Sequence, residues 1–165
     1  MSNIIELNPV AELRASQKAQ ENKVKDIMNS YFVRIPEGDY EATLTHYYTC
    51  NIHGDDKVVF LFTIIDFGDY HNVIIPRFYP VKRVIGKKGM NGRFIPKCSP
   101  TSAFIKDYYS MYPTAPKLRP DRVPMTKLMD KPYLITVGDV RHGSDKKKVH
   151  PEQVIYSTIR EVKLN

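Results

Sequence analysis

The chain has 165 residues, 42% of them apolar, with 11 Tyr, 7 Phe and no Trp; that is one domain with an extra segment, or two very small ones, and too rich in aromatic residues for wholesale disorder. Its net charge of +7 is unevenly spread, with one basic and seven acidic side chains in residues 36–70 against eight basic and no acidic ones in residues 71–106. A basic block of this kind points to a polyanion, most often nucleic acid, with a solvated basic surface as the competing reading.

Residues 1–35 read as a helical arm. Asn8 can cap a helix that opens on Pro9, and Val10, Leu13, Gln17, Val24, Ile27 and Met28 form a sparse apolar stripe. The middle, RASQKAQENK, has little to bury, so the helix is marginal alone. A tether, a partner-binding or self-association arm and a frayed extension all stay open.

A meander follows. Tyr40, Ala42 and Leu44 alternate with Glu41, Thr43 and Thr45, the period-2 pattern of a half-buried strand. Gly54-Asp55 marks a turn into Val58–Ile65, a short unbroken run of β-forming residues. After a turn centred on Gly68, a third strand is expected from Val73 to Val84, with Ile75, Arg77, Tyr79, Val81 and Arg83 on one face. Pro76 and Pro80 cannot donate to a ladder, so that strand is an edge, a bulged strand or a bent one. It runs out through Gly86, Gly89 and Gly92, which frame a basic loop or hairpin tip.

Ser99 followed by Pro100 predicts the start of a helix to about residue 112, with Ala103, Phe104, Tyr108, Met111 and Tyr112 at helical spacing and Pro113 and Pro116 beyond its end. The stretch TAPKLRPDRVPMTK reads as an extended crossing. Two alternating strands complete the chain, KPYLITVGDVR and QVIYSTIREVKL; in the second, Ile155, Ser157, Ile159 and Glu161 share a face. The basic loop HGSDKKKVHPE joins them. The whole is mainly β with one helix in the order βββαββ. That is the succession of a five-stranded Greek-key barrel of the oligonucleotide/oligosaccharide-binding (OB) type over residues 36–165.

The order of motifs also carries a resemblance. Pro36, Gly38 and Tyr40, then Ile65 and Gly68, then Arg77 and Tyr79 resemble the opening of small OB-like proteins of phages, plasmids and integrative elements. The match is loose, covers residues 35–165 and omits the arm. It implies the barrel and, for those members that resemble single-stranded-DNA-binding proteins, a nucleic-acid ligand.

No catalytic constellation assembles, and the expectation is a non-enzymatic protein without cofactor. Cys50-x-x-His53 is half of a zinc-like spacing, with no second pair near it, so no metal site is expected. Asp55-Asp56 and Asp66/Asp69 could pair as acid and base, but they sit at turns, where Asp serves local hydrogen bonds. Gly86-Lys87-Lys88-Gly89 lacks the spacing and the hydroxyl residue of a phosphate-binding loop. There is no secretory signal, no apolar run near the ~18 residues of a membrane span, and no disulfide framework, which together predict a cytoplasmic protein without membrane contact.

Binding single-stranded DNA or RNA asks only for a cationic groove and aromatic faces on which bases stack. The expected contacts are Arg77, Tyr79 and Arg83 on strand three, Lys87, Lys88, Arg93 and Phe94 in the loop after it, and Arg141, Lys146, Lys147 and Lys148 between the last two strands. The competing readings are a half-buried cross-strand aromatic for Tyr79 and a solvated hairpin tip for Lys146–Lys148. The rival function is a protein-interaction or assembly module on the same fold, docking through the arm or the edge of strand three.

Overall fold

A computed structural model describes residues 33–52, 54–86, 91–92, 94–117, 119, 123–142 and 148–165. The expected helical arm lies, as far as residue 32, outside the described residues.

Among the described residues there are seven strands and one α-helix: β1 (Gly38–Ile52), β2 (Asp55–Ile64), β3 (Ile74–Pro80), β4 (Arg83–Gly86), β5 (Phe94–Lys97), α1 (Ala103–Met111), β6 (Pro132–Val140) and β7 (Tyr156–Leu164). Five of the strands form one antiparallel sheet in the order β3-β2-β1-β6-β7, while β4 and β5 pair in a separate ribbon. The expected long third strand is thus two. β3 ends at Pro80, and the chain turns so that Val81 N–H donates to the Asp56 carbonyl and Val84 N–H to the Asp56 carboxylate. β3 is an edge of the ladder, a position where Pro76 and Pro80 leave no ladder donor missing.

Two bulges decide which side chains meet in the core. In β1 the register passes from Leu44↔Phe62 to His46↔Leu61, leaving Thr45 without an opposite number. The extra residue puts Leu44 and Tyr47 on the same, buried face. The Thr45 hydroxyl meets the Leu61 carbonyl and the Thr63 hydroxyl. In β7 the register passes from Ile159↔Val137 to Glu161↔Thr136, and Arg160 is the extra residue. Glu161 therefore leaves the face that alternation assigned to it, and Val162 takes that place beside Ile159 in the core.

The edges of the sheet, β3 and β7, approach each other without a shared backbone ladder among the described residues. Side chains connect them: the Thr158 hydroxyl donates to the Pro76 carbonyl, and the Arg77 guanidinium to the Ile159 carbonyl. α1 lies across this seam. Asp107 holds β3 through Arg77 and Tyr79, and the Ser110 hydroxyl donates to the Val162 carbonyl of β7. The helix begins three residues later than Ser99 suggested. Ser102 is its N-cap, accepting from Ile105 N–H, while Ser99 closes a local turn with Thr101. Its buried side chains, Phe104, Ile105, Tyr108 and Met111, enter a core with Phe60, Phe62, Tyr79 and Tyr133. Burial of each of the apolar ones among them, Phe104, Ile105 and Met111, contributes about 1.5–3 kcal/mol.

The segment before β1 belongs to this core as well. Ile35 is buried, and its N–H and carbonyl both bond the buried Ser157 hydroxyl. No helix among the described residues is long and apolar enough to cross a membrane.

Candidate nucleic-acid interface

The expected contacts divide into three groups. Tyr79 is a correction: it is fully buried, edge-on to Phe60 and Phe104 at 5.1 and 5.5 Å between centroids, and offers no face to a base. Its register explains this. Tyr79 stands opposite Val58 and points with Val58, Phe60 and Phe62 into the core, so the part of the expected basic-aromatic face that lies on β3 is an inward one, while Arg83 lies on β4 and is exposed. The hydroxyl donates to Asp107 Oδ2 at 2.8 Å, and desolvation, with the nearby Asp107 charge, holds its pKa well above the ordinary phenol value. Arg77 shares that face. Its Nε and Nη2 reach Asp107 Oδ2 at 3.1 and 3.0 Å, its side chain is 18% exposed, and it is committed to the seam rather than open to phosphate. Phe94, also expected as a contact, is buried edge-on against Tyr47.

A second group is exposed. β4 and β5 pair with Arg83 opposite Lys97 and Ile85 opposite Ile95. All four face outward, while Val84, Phe94 and Pro96 are buried beneath them. Lys82 is exposed next to the pair, and its N–H donates to the Lys97 carbonyl. Two cations stand directly opposite each other here, a pairing that by itself is unfavourable. The ribbon is anchored at both ends, by Asp56 at Val84 and by Asn91, whose carboxamide oxygen accepts from Tyr47 N–H and whose own N–H donates to the Tyr47 carbonyl. Asn91 has a φ of 51°, which Asn tolerates better than most residues. Lys97, Ile85 and Ile95 were not among the sequence candidates. The spacing of Arg83 and Lys97 around a glycine-rich tip is the signal that could have paired them.

In the connection from β6 to β7, Arg141 and Lys148 are exposed, and His142 pairs with Val149 at the loop's base. Arg141 Nη2 also bonds Asp139 Oδ2 at 3.0 Å. The buried Asp139 carboxylate further receives Arg34, whose other partner is Glu152. These carboxylates raise the Arg34 pKa above its ordinary value. The third group, Lys87, Lys88, Arg93, Lys146 and Lys147, lies outside the described residues.

The acidic turns act as braces. Asp56 accepts from Asn51 Nδ2 and Val84 N–H, and Asp66 accepts from Glu41 N–H at 2.7 Å. Cys50 is half-buried opposite Lys57, and burial pushes its thiol up to about 11, away from the thiolate a metal would need. Among the described residues no three His, Cys, Asp or Glu side chains stand close enough to hold a metal ion.

Fold and surface together define a mainly antiparallel β protein with one seam-bridging helix and an exposed cationic ribbon. Comparison with known proteins finds no matching family model, curated protein or solved structure.

Proposed function

We propose that this chain is a non-enzymatic, single-stranded nucleic-acid-binding protein of a mobile genetic element, built on an OB-like barrel with an N-terminal helical arm. The strand order β3-β2-β1-β6-β7, with edges brought together under α1, supports the barrel reading, since an OB-fold is a partly open Greek-key barrel. The observation that carries the binding reading is the outward face of the ribbon, where Arg83 and Lys97 oppose each other beside exposed Lys82. The tip that joins the two strands adds Lys87, Lys88 and Arg93 in sequence. Exposed Arg141 and Lys148 supply a second cationic stretch. With Tyr79 and Phe94 in the core, affinity rests on phosphate contacts more than on stacking.

The test is fluorescence anisotropy with a labelled oligo-dT across a salt series. Binding weakens steeply with salt, and Arg83→Ala with Lys97→Ala flattens the log–log slope by about 1.4, at roughly 0.7 per phosphate for single strands. No binding even at low salt ends the reading. An unchanged slope in the double variant moves the interface to Arg141 and Lys148. A different observation, the exposed ring of Phe67, favours an additional role as an assembly module.

A further inference from the structure

We propose that the protein docks head-to-tail on a second copy of itself, Phe67 of one molecule seating on the Ile85–Ile95 face of the next. Phe67 is 99% exposed. The turn that carries it is well braced: His71 N–H donates to the Gly68 carbonyl, Val73 N–H to the Tyr70 carbonyl and Ile65 N–H to the Glu41 carbonyl. His71 stacks on the Phe67 ring at 5.6 Å and 9° and donates through Nδ1 to the Asp66 carbonyl. The ring is therefore held out by a built turn, with its hydrophobic surface unspent.

Charge selects the occupant. Residues 58–76 contain Asp66 and Asp69 and no Lys or Arg, so the turn is acidic and repels phosphate. It calls for an apolar surface edged by cations. The molecule carries one: Ile85 and Ile95 are 41% and 40% exposed and directly opposed, with Arg83 and Lys97 on the same outward face. Phosphate binding accounts for the two cations but gives no reason for the two exposed isoleucines beside them. A phenyl ring flanked by Asp69 accounts for the isoleucines and for Arg83 beside them.

Position excludes an intramolecular match. The ribbon is tied to Asp56 at the start of β2, and the Phe67 turn leaves its other end. The ribbon's tip reaches Tyr47, opposite Phe60, so the stretch from Phe60 to Phe67 still separates the two surfaces by roughly 20 Å at about 3.3 Å per residue. The contact joins different patches on the two partners, so it is heterologous and, unless it closes into a ring, open-ended. Because it occupies the ribbon, oligonucleotide and a neighbouring copy compete for that face.

Sedimentation velocity on the full chain tests this. The wild-type protein is expected to show a weight-average sedimentation coefficient that rises with concentration. Phe67→Ala with Asp69→Lys removes the knob, Arg83→Glu with Ile85→Ser removes the seat, and each double variant is expected to stay monomeric. Mixed one to one, they restore a single good interface and give dimers but nothing larger. All four positions are exposed, and circular dichroism checks that each variant is folded. A wild-type chain that stays monomeric throughout, a knob variant that still associates, or a mixture that stays monomeric each overturns the proposal. The knob variant keeps its ribbon, so oligo-dT binding by it tests the nucleic-acid reading separately; either proposal can fail while the other stands.

Discussion

Arg77 and Tyr79 show how one side chain's direction changes a functional reading. Both carry groups that nucleic acid uses, and both face inward, where Asp107 takes the guanidinium and the phenol together. Removing Arg77 leaves Asp107 largely buried with Tyr79 as its remaining partner in this network. Arg77→Ala is therefore expected to lower stability by about 2–3 kcal/mol, the cost of breaking a largely desolvated charged pair. Tyr79→Phe loses one hydrogen bond while keeping the ring, and is expected to cost about 1 kcal/mol. Urea unfolding gives both values. Oligonucleotide affinity at temperatures where the variants are folded should be little changed. A stable Arg77→Ala protein that had lost binding would instead return Arg77 to the interface.

At the scale of elements, the helix and the bulges carry the lesson. Ser99 before Pro100 has the local form of a helix start, yet Ser102 makes the capping bond to Ile105. A Ser-Pro pair also suits a turn, and the buried positions Phe104, Ile105, Tyr108 and Met111 set the turns that α1 must present. Ser102→Ala should cost about 1 kcal/mol, and Ser99→Ala, in its exposed turn, no more than about 0.5. Equal losses in thermal or urea midpoints would contradict this placement of the cap. The bulges at Thr45 and Arg160 were invisible to alternation, because a period-2 pattern carries no mark of where one strand gains a residue on its neighbour. At the second bulge the side chain of Arg160 lies over Gly138 and donates to the Asp139 carbonyl; a Cβ at Gly138 would come within 2.9 Å of Arg160 Nε.

Across the whole molecule, charge and connectivity are arranged along β2. An acidic turn with Phe67 stands at one end and a cationic ribbon at the other. The segment before β1 closes a different part of the sheet: Ile35 fills the core over Ser157, and Arg34 pairs with buried Asp139. A chain beginning at residue 36 loses both. It is expected to be less stable than one beginning at residue 31 by at least about 3 kcal/mol, from the lost Ile35 side chain and the buried Ser157 hydroxyl left without that partner. Paired thermal melts of the two chains check this, and coincident midpoints would show that residues 31–35 contribute nothing to the fold.

Local signals in the sequence carried the sheet-rich class, the one helix placed between strands, and a strand at Pro76 that had to be an edge, bulged or bent. Those features depend on covalent geometry and on neighbours in the chain: ring closure at proline, capping within one turn, alternation within one strand. Tertiary structure alone decided which face is the inside. Alternation places Ile75, Arg77 and Tyr79 together, but only pairing with Phe62, Phe60 and Val58 turns that face toward the core. Likewise the separation of Arg83 and Lys97 in the chain says little until β4 and β5 pair and set them opposite each other. An exposed Phe67 looks like any other apolar residue in sequence, because burial is a property of what the rest of the chain brings against a side chain and not of the side chain itself.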